Sequence, residues 1–141
     1  MGKPLKPDTA PQEHGEQRTP LLDGFRYAFG GLWYAIKTQR NMRIHLVIAA
    51  AVLVLGLYLE LIWIEWAVLA LTIGFVLVAE MFNTVAEAAM DAATPYYHPL
   101  VKIAKDVAAG AVLLTAIAAV LVGLLILGPP LWARVAPLVL R

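Results

Sequence analysis

The sequence contains no cysteine, which excludes disulfides and any thiolate metal site. Charge is scarce too: Asp, Glu, Lys and Arg make up 15% of the 141 residues against 61% hydrophobic ones, too little polarity for an ordinary soluble domain. None of the ten glycines falls in a G-x-x-x-x-G-K-[ST] sequence, so a P-loop is ruled out, and no soluble-kinase signature is found. The polar, proline-containing opening lacks the early apolar core of a signal peptide, so no cleaved targeting sequence is expected. What the chain has instead is long apolar runs, the mark of a small all-α integral membrane protein of one domain.

In chain order, residues 1–19 carry Pro4, Pro7 and Pro11 among polar side chains and read as a disordered cytosolic tail. Thr19-Pro20 reads as an N-cap and first-turn proline opening an amphipathic surface helix over residues 20–38. There Leu21, Leu22, Phe25, Phe29, Leu32, Trp33 and Ile36 recur at helical steps, with Asp23, Arg26 and Lys37 on the other side. Thr38 to Arg43 reads as a polar connector, followed by a first membrane span over about 44–62. His45, with no second histidine nearby, reads as an interfacial or hydrogen-bonded side chain rather than a metal ligand. Tryptophans 63 and 66 mark the next interface, and a second span is expected over about 65–92. Pro95 and Pro99 break the chain before a third span over about 100–128, which Gly128-Pro129-Pro130 is expected to end, leaving a short tail at 129–141.

Charge orients these elements. Lys3, Lys6, Arg18, Arg26, Lys37, Arg40 and Arg43 all precede the first long apolar run, a distribution that suits a membrane surface and not nucleic acid. Lys102 and Lys105 fall in the second connecting region, whereas the turn between spans one and two holds Glu60 and Glu65 and no basic residue. The expected topology is therefore an inner-membrane protein, multi-pass, with its N-terminus in the cytosol.

Within the second span, Glu80, Asn83, Glu87 and Asp91 recur at helical spacing. At about 100° per residue they share an arc of roughly 80°, so three carboxyls and an amide form one ladder on one face. Carboxyls at a bilayer edge are costly unless paired, hydrated or metal-bound, which makes this face a candidate site; its plain alternative is a solvated face on a helix that has left the lipid. Lys105 and Asp106 would arrive at the same depth if the last two spans pack as a hairpin, either as a salt-bridged snorkelling lysine or as a phosphate contact.

A kinase acting on a lipid would need a base near a hydroxyl, carboxylates for Mg²⁺ on a nucleotide, and a cation for phosphates. Each class is present: Glu80 is the deepest, where a poorly solvated carboxylate is a stronger base, and Glu87 lies nearer water for the metal. Asn83 would orient either group, and Lys105 would neutralise the transferred phosphoryl group. A proton or ion pathway would spread acidic groups through the bilayer, whereas these cluster at one side. Because three spans cannot enclose such a face on every side, the expectation is a homo-oligomer.

At these residues the chain resembles the prokaryotic diacylglycerol kinase family, the small trimeric membrane lipid kinases that include undecaprenol kinases. The family pattern E-x-x-N-[ST]-x-x-E-x-x-x-D is met by Glu80, Asn83, Thr84, Glu87 and Asp91, and A-K-D-x-A-A-G-A-V-L by Ala104 to Leu113. Similarity runs from about Phe25 to Leu127. The resemblance implies a homotrimer of one surface helix and three spans per chain, ATP and Mg²⁺ dependence, and phosphorylation of undecaprenol or diacylglycerol, with undecaprenol ahead. By position it makes Glu80 the proton acceptor, with Asn83 and Asp91 in the same catalytic set. Glu87 becomes a metal ligand bordering ATP, and Tyr27, Tyr96, Tyr97, His98, Lys105 and Asp106 ATP contacts. Where the family commonly has a second metal-binding glutamate this chain has Gln39, an uncharged oxygen ligand; a catalytically weak or inactive relative serving as a membrane component is therefore the other expectation.

Overall fold

The computed structural model describes residues 21–94 and 96–139; the expected N-terminal tail and Pro20 lie outside them. Four helices follow one another: α1 (Leu21–Thr38), α2 (Arg40–Leu59), α3 (Trp63–Ala93) and α4 (Pro99–Val139). Three of these, α2, α3 and α4, are long and apolar enough to cross a bilayer. The protein is an all-α membrane protein, and the described residues contain no strand.

α1 keeps its apolar side uncovered, with Leu21, Leu22, Phe25 and Phe29 exposed, and buries only Ala35. Uncovered apolar side chains on one stripe suit a helix lying in the headgroup layer. The expected connector is shorter than its polarity suggested: Gln39 alone is extended, and α2 begins at Arg40. Polar residues are at home there because the first turn of a helix has backbone N–H groups without helical partners. Met42, fully buried, locks that turn in place.

At the opposite end, Glu60 takes the left-handed conformation at φ 59°. The Leu61 N–H donates to the Gly56 carbonyl at 3.3 Å, closing α2 with a backbone bond. Glu65 then accepts the Ile62 N–H at 2.9 Å and starts α3. Gly56 allows this turn to close: a Cβ there would lie 2.8 Å from Cη2 of Trp66 and 3.1 Å from Cδ1 of Leu61. We expect Gly56→Leu to displace the indole and cost about 1–3 kcal/mol, read as a lower thermal midpoint in detergent.

Leu59, Leu69 and Leu127 form the buried cluster at this end, backed by Val52, Leu55, Val122 and Ile126. In lipid, such contact stabilises through packing rather than water release. α4 departs from the expected stop at Gly128-Pro129-Pro130 and runs on as helix through three prolines to Val139. A proline removes one helical hydrogen bond and bends the axis, and contacts beyond it can hold the continuation. Here Arg134 donates to Glu60 at 3.1 Å and stacks 4.8 Å from the Tyr58 ring, tying the extension of α4 to the α2–α3 turn. At about 1.5 Å per residue α4 reaches roughly 60 Å, about twice the ~30 Å hydrocarbon core.

Candidate active site

α3 carries the ladder as one unbroken helix, so the spacing of Glu80, Asn83, Glu87 and Asp91 becomes a single face, buried at Glu80 and Asn83 and open at Asp91. Its rungs differ in surroundings. Glu80 is 0% exposed, and both its carboxylate oxygens lack a hydrogen-bond donor among the described residues. Asn83, also buried, donates its amide Nδ2 to Glu87 at 3.1 Å while its Oδ1 is left without a donor. Glu87 is half-buried and accepts a second, longer bond of 3.4 Å from Nε2 of Gln39. Asp91, at the exposed end, is ion-paired with Lys105 of α4.

Gln39 reaches Glu87 because it is the one extended residue between α1 and α2, with α1 packed beside α3. The expected meeting of opposite charges at the end of the hairpin takes the form of the Lys105–Asp91 pair. Asp106 is turned to a different partner, Lys102, one helical turn earlier. Three spans cover the face in part: this chain buries Glu80 and Asn83 itself, among residues of α2 and α4, and leaves Glu87 half-buried and Asp91 exposed.

Tyr27, Tyr96 and Tyr97 are strongly exposed, at 66%, 81% and 80%. His98 accepts the Leu100 N–H on its Nδ1 at 3.2 Å, so it caps the start of α4. Among the described residues, no hydrogen bond or ion pair ties these four side chains to the ladder.

Two cavities meet at His45 and Ala116. The polar one, about 300 Å³, is walled by Asn41, His45, Glu80, Asn83 and Glu87 together with apolar residues of α4. A deeper apolar one, about 260 Å³, lies between α2, α3 and α4 around Val52, Leu69, Val76 and Val120. Its sole hydroxyl, on Thr72, is occupied by the Val68 carbonyl at 2.7 Å. His45 and Ala116 line both cavities, so the polar cavity lined by Glu80 adjoins the hydrocarbon-like one through these two residues. Asn41 and His45 were not singled out as site residues in the sequence; their spacing of one turn at the start of α2 was the available signal.

Among the described residues, no three His, Asp or Glu side chains are grouped to hold a metal ion. The side-chain oxygens at Glu87 are one carboxylate, the orphaned Asn83 Oδ1 and the Gln39 amide, hard donors of the kind that Mg²⁺ accepts. Mg²⁺ is commonly held by one or two carboxylates, with phosphates and water completing the shell.

Comparison with known proteins places these residues in a wider set. The chain is 53% identical over 112 residues to a protein named diacylglycerol kinase from Synechocystis sp., a match covering 79% of this chain and 64% of that protein. It is 39% identical over 120 residues to one named undecaprenol kinase from Bacillus subtilis, covering 85% of this chain and 98% of that one. A Helicobacter pylori protein named diacylglycerol kinase is 32% identical over 102 residues, covering 67% and 80%. The chain thus spans under two thirds of the length of the first of these. Its residues 26–127, from the second turn of α1 through the ladder to Leu127 within α4, match the family described as prokaryotic diacylglycerol kinase, and the chain belongs to that family.

Proposed function

We propose that this protein transfers the terminal phosphoryl group of ATP to the hydroxyl of a membrane lipid, undecaprenol or diacylglycerol, at the cytosolic face of the inner membrane. The observation that carries this is the fully buried, donorless carboxylate of Glu80 in a polar cavity that shares His45 and Ala116 with an apolar one. A base in a polar cavity with an apolar one next to it suits an acceptor whose hydroxyl is polar and whose body is hydrocarbon.

In the reaction Glu80 accepts the proton of the lipid hydroxyl as its oxygen bonds to the γ-phosphorus. The bond from that phosphorus to the bridging oxygen breaks, and ADP leaves with the electron pair. Asn83 holds Glu87 in place through its amide, and Glu87 with Gln39 would hold the magnesium ion that accompanies the nucleotide. That ion would supply positive charge against the phosphate oxygens. Lys105, partly covered and already engaged with Asp91, is positioned as a cation at the outer end of the ladder. Tyr27, Tyr96, Tyr97, His98 and Asp106 are proposed to border ATP. Their exposure supports a site completed by a neighbouring chain, and a homotrimer is proposed on the family resemblance.

Relatives named for two different lipids match this chain, so the acceptor is decided by assay. Purified protein in mixed micelles with radiolabelled ATP is expected to label one or both lipids, in a Mg²⁺-dependent manner. Label on neither, with assembled oligomers, would favour an inactive membrane component.

A further inference from the structure

A buried carboxylate without a hydrogen-bond donor is costly, so what supplies one to Glu80 matters. The walls of its cavity narrow the choice. The α4 side chains there, Ala109, Val112, Leu113 and Ala116, carry no polar atom. The Asn83 amide nitrogen is engaged by Glu87, and an ionised Glu87 only accepts. Two side-chain donors remain, Asn41 and His45, one turn apart on the same face of α2.

Depth separates them. His45 lines the apolar cavity as well as the polar one, whereas Asn41 lines only the polar one. Glu80 is the ladder's deepest rung, and it lines the polar cavity together with His45. We propose that His45 is the positioning residue for Glu80: its imidazole N–H donates to one carboxylate oxygen and aims the other at the acceptor hydroxyl. A neutral imidazole has one such N–H, which suits it to orient a carboxylate without joining the phosphoryl transfer itself. The proposal rests on Glu80 being the base.

The test uses the full chain in mixed micelles, with His45→Leu removing the donor and His45→Gln replacing it by an amide. Loss of an orienting partner commonly costs about 10–100-fold, and this is the expected fall in kcat for His45→Leu, with KM for ATP nearly unchanged. His45→Gln is expected to recover most of it. In a Glu80→Gln background His45→Leu should add nothing, because both changes disable one unit. Turnover of His45→Leu within about twofold of the parent, or equal losses in the Leu and Gln variants, would overturn the proposal.

An independent readout is the ¹⁵N spectrum of the three histidines. Glu80→Gln is expected to shift the ring nitrogens of His45 and leave the other two histidines in place. An unmoved His45 signal would sink the contact, whether or not the protein phosphorylates a lipid. Absence of phosphorylation by the parent protein, with the His45 shift present, would instead sink the kinase assignment and leave the contact standing.

Discussion

Glu80→Gln is expected to lower turnover by about 10²–10⁴-fold, the range lost when a positioned general base is removed. The amide has nearly the same shape as the carboxylate, so the fully buried site should keep its packing. Assembly and thermal midpoint should be unchanged or improved, since a neutral group now occupies a place where both oxygens lack donors. Initial rates with saturating ATP and lipid, alongside size and melting measurements in the same detergent, make the comparison. Glu80→Asp adds a control: it keeps the carboxylate but withdraws it by one methylene, and small displacements of a reacting group cost rate steeply. An active Glu80→Gln protein, retaining more than about a tenth of the parent rate, would take Glu80 out of the base role.

How far the sequence could show this site depends on which interactions stay within one helix. The ladder is a matter of spacing along α3, and helical periodicity alone places its four members on one face. The Lys105–Asp91 pair followed because a short connector brings the end of α3 next to the start of α4. His45 was harder to read. On α2 it is a lone histidine in an apolar run, and its relation to Glu80 exists only once two helices cross.

Local polarity misled at two helix ends. Arg40, Asn41 and Arg43 resemble a connector, yet a first helical turn tolerates polar side chains, and buried Met42 secures it. Pro129 and Pro130 resemble a stop, yet α4 continues, held by Arg134 on Glu60 and Tyr58 from a distant part of the chain. In the second case a contact remote in sequence outweighed a local signal.

Gln39 and Glu87 permit a second large effect to be stated as an exchange. Glu87→Gln removes the one carboxylate that both neighbouring amides address, and is expected to lower kcat/KM for magnesium-ATP by on the order of 10²-fold or more. Gln39→Glu places a second carboxylate against Glu87, where Gln39 now donates at 3.4 Å. Without a divalent ion the two negative charges repel, and with one they share it, so the variant should melt lower in chelator. Its melting point should also rise more steeply with added Mg²⁺ than that of the parent, a readout that needs no turnover. Gln39→Glu combined with Glu87→Gln moves the carboxylate across a single hydrogen bond while keeping the number of charges. If both positions face the same ion, the double variant should recover part of the activity lost by Glu87→Gln alone. Independent losses, together with a Mg²⁺ titration of Gln39→Glu identical to the parent's, would show that Gln39 braces Glu87 without facing the metal.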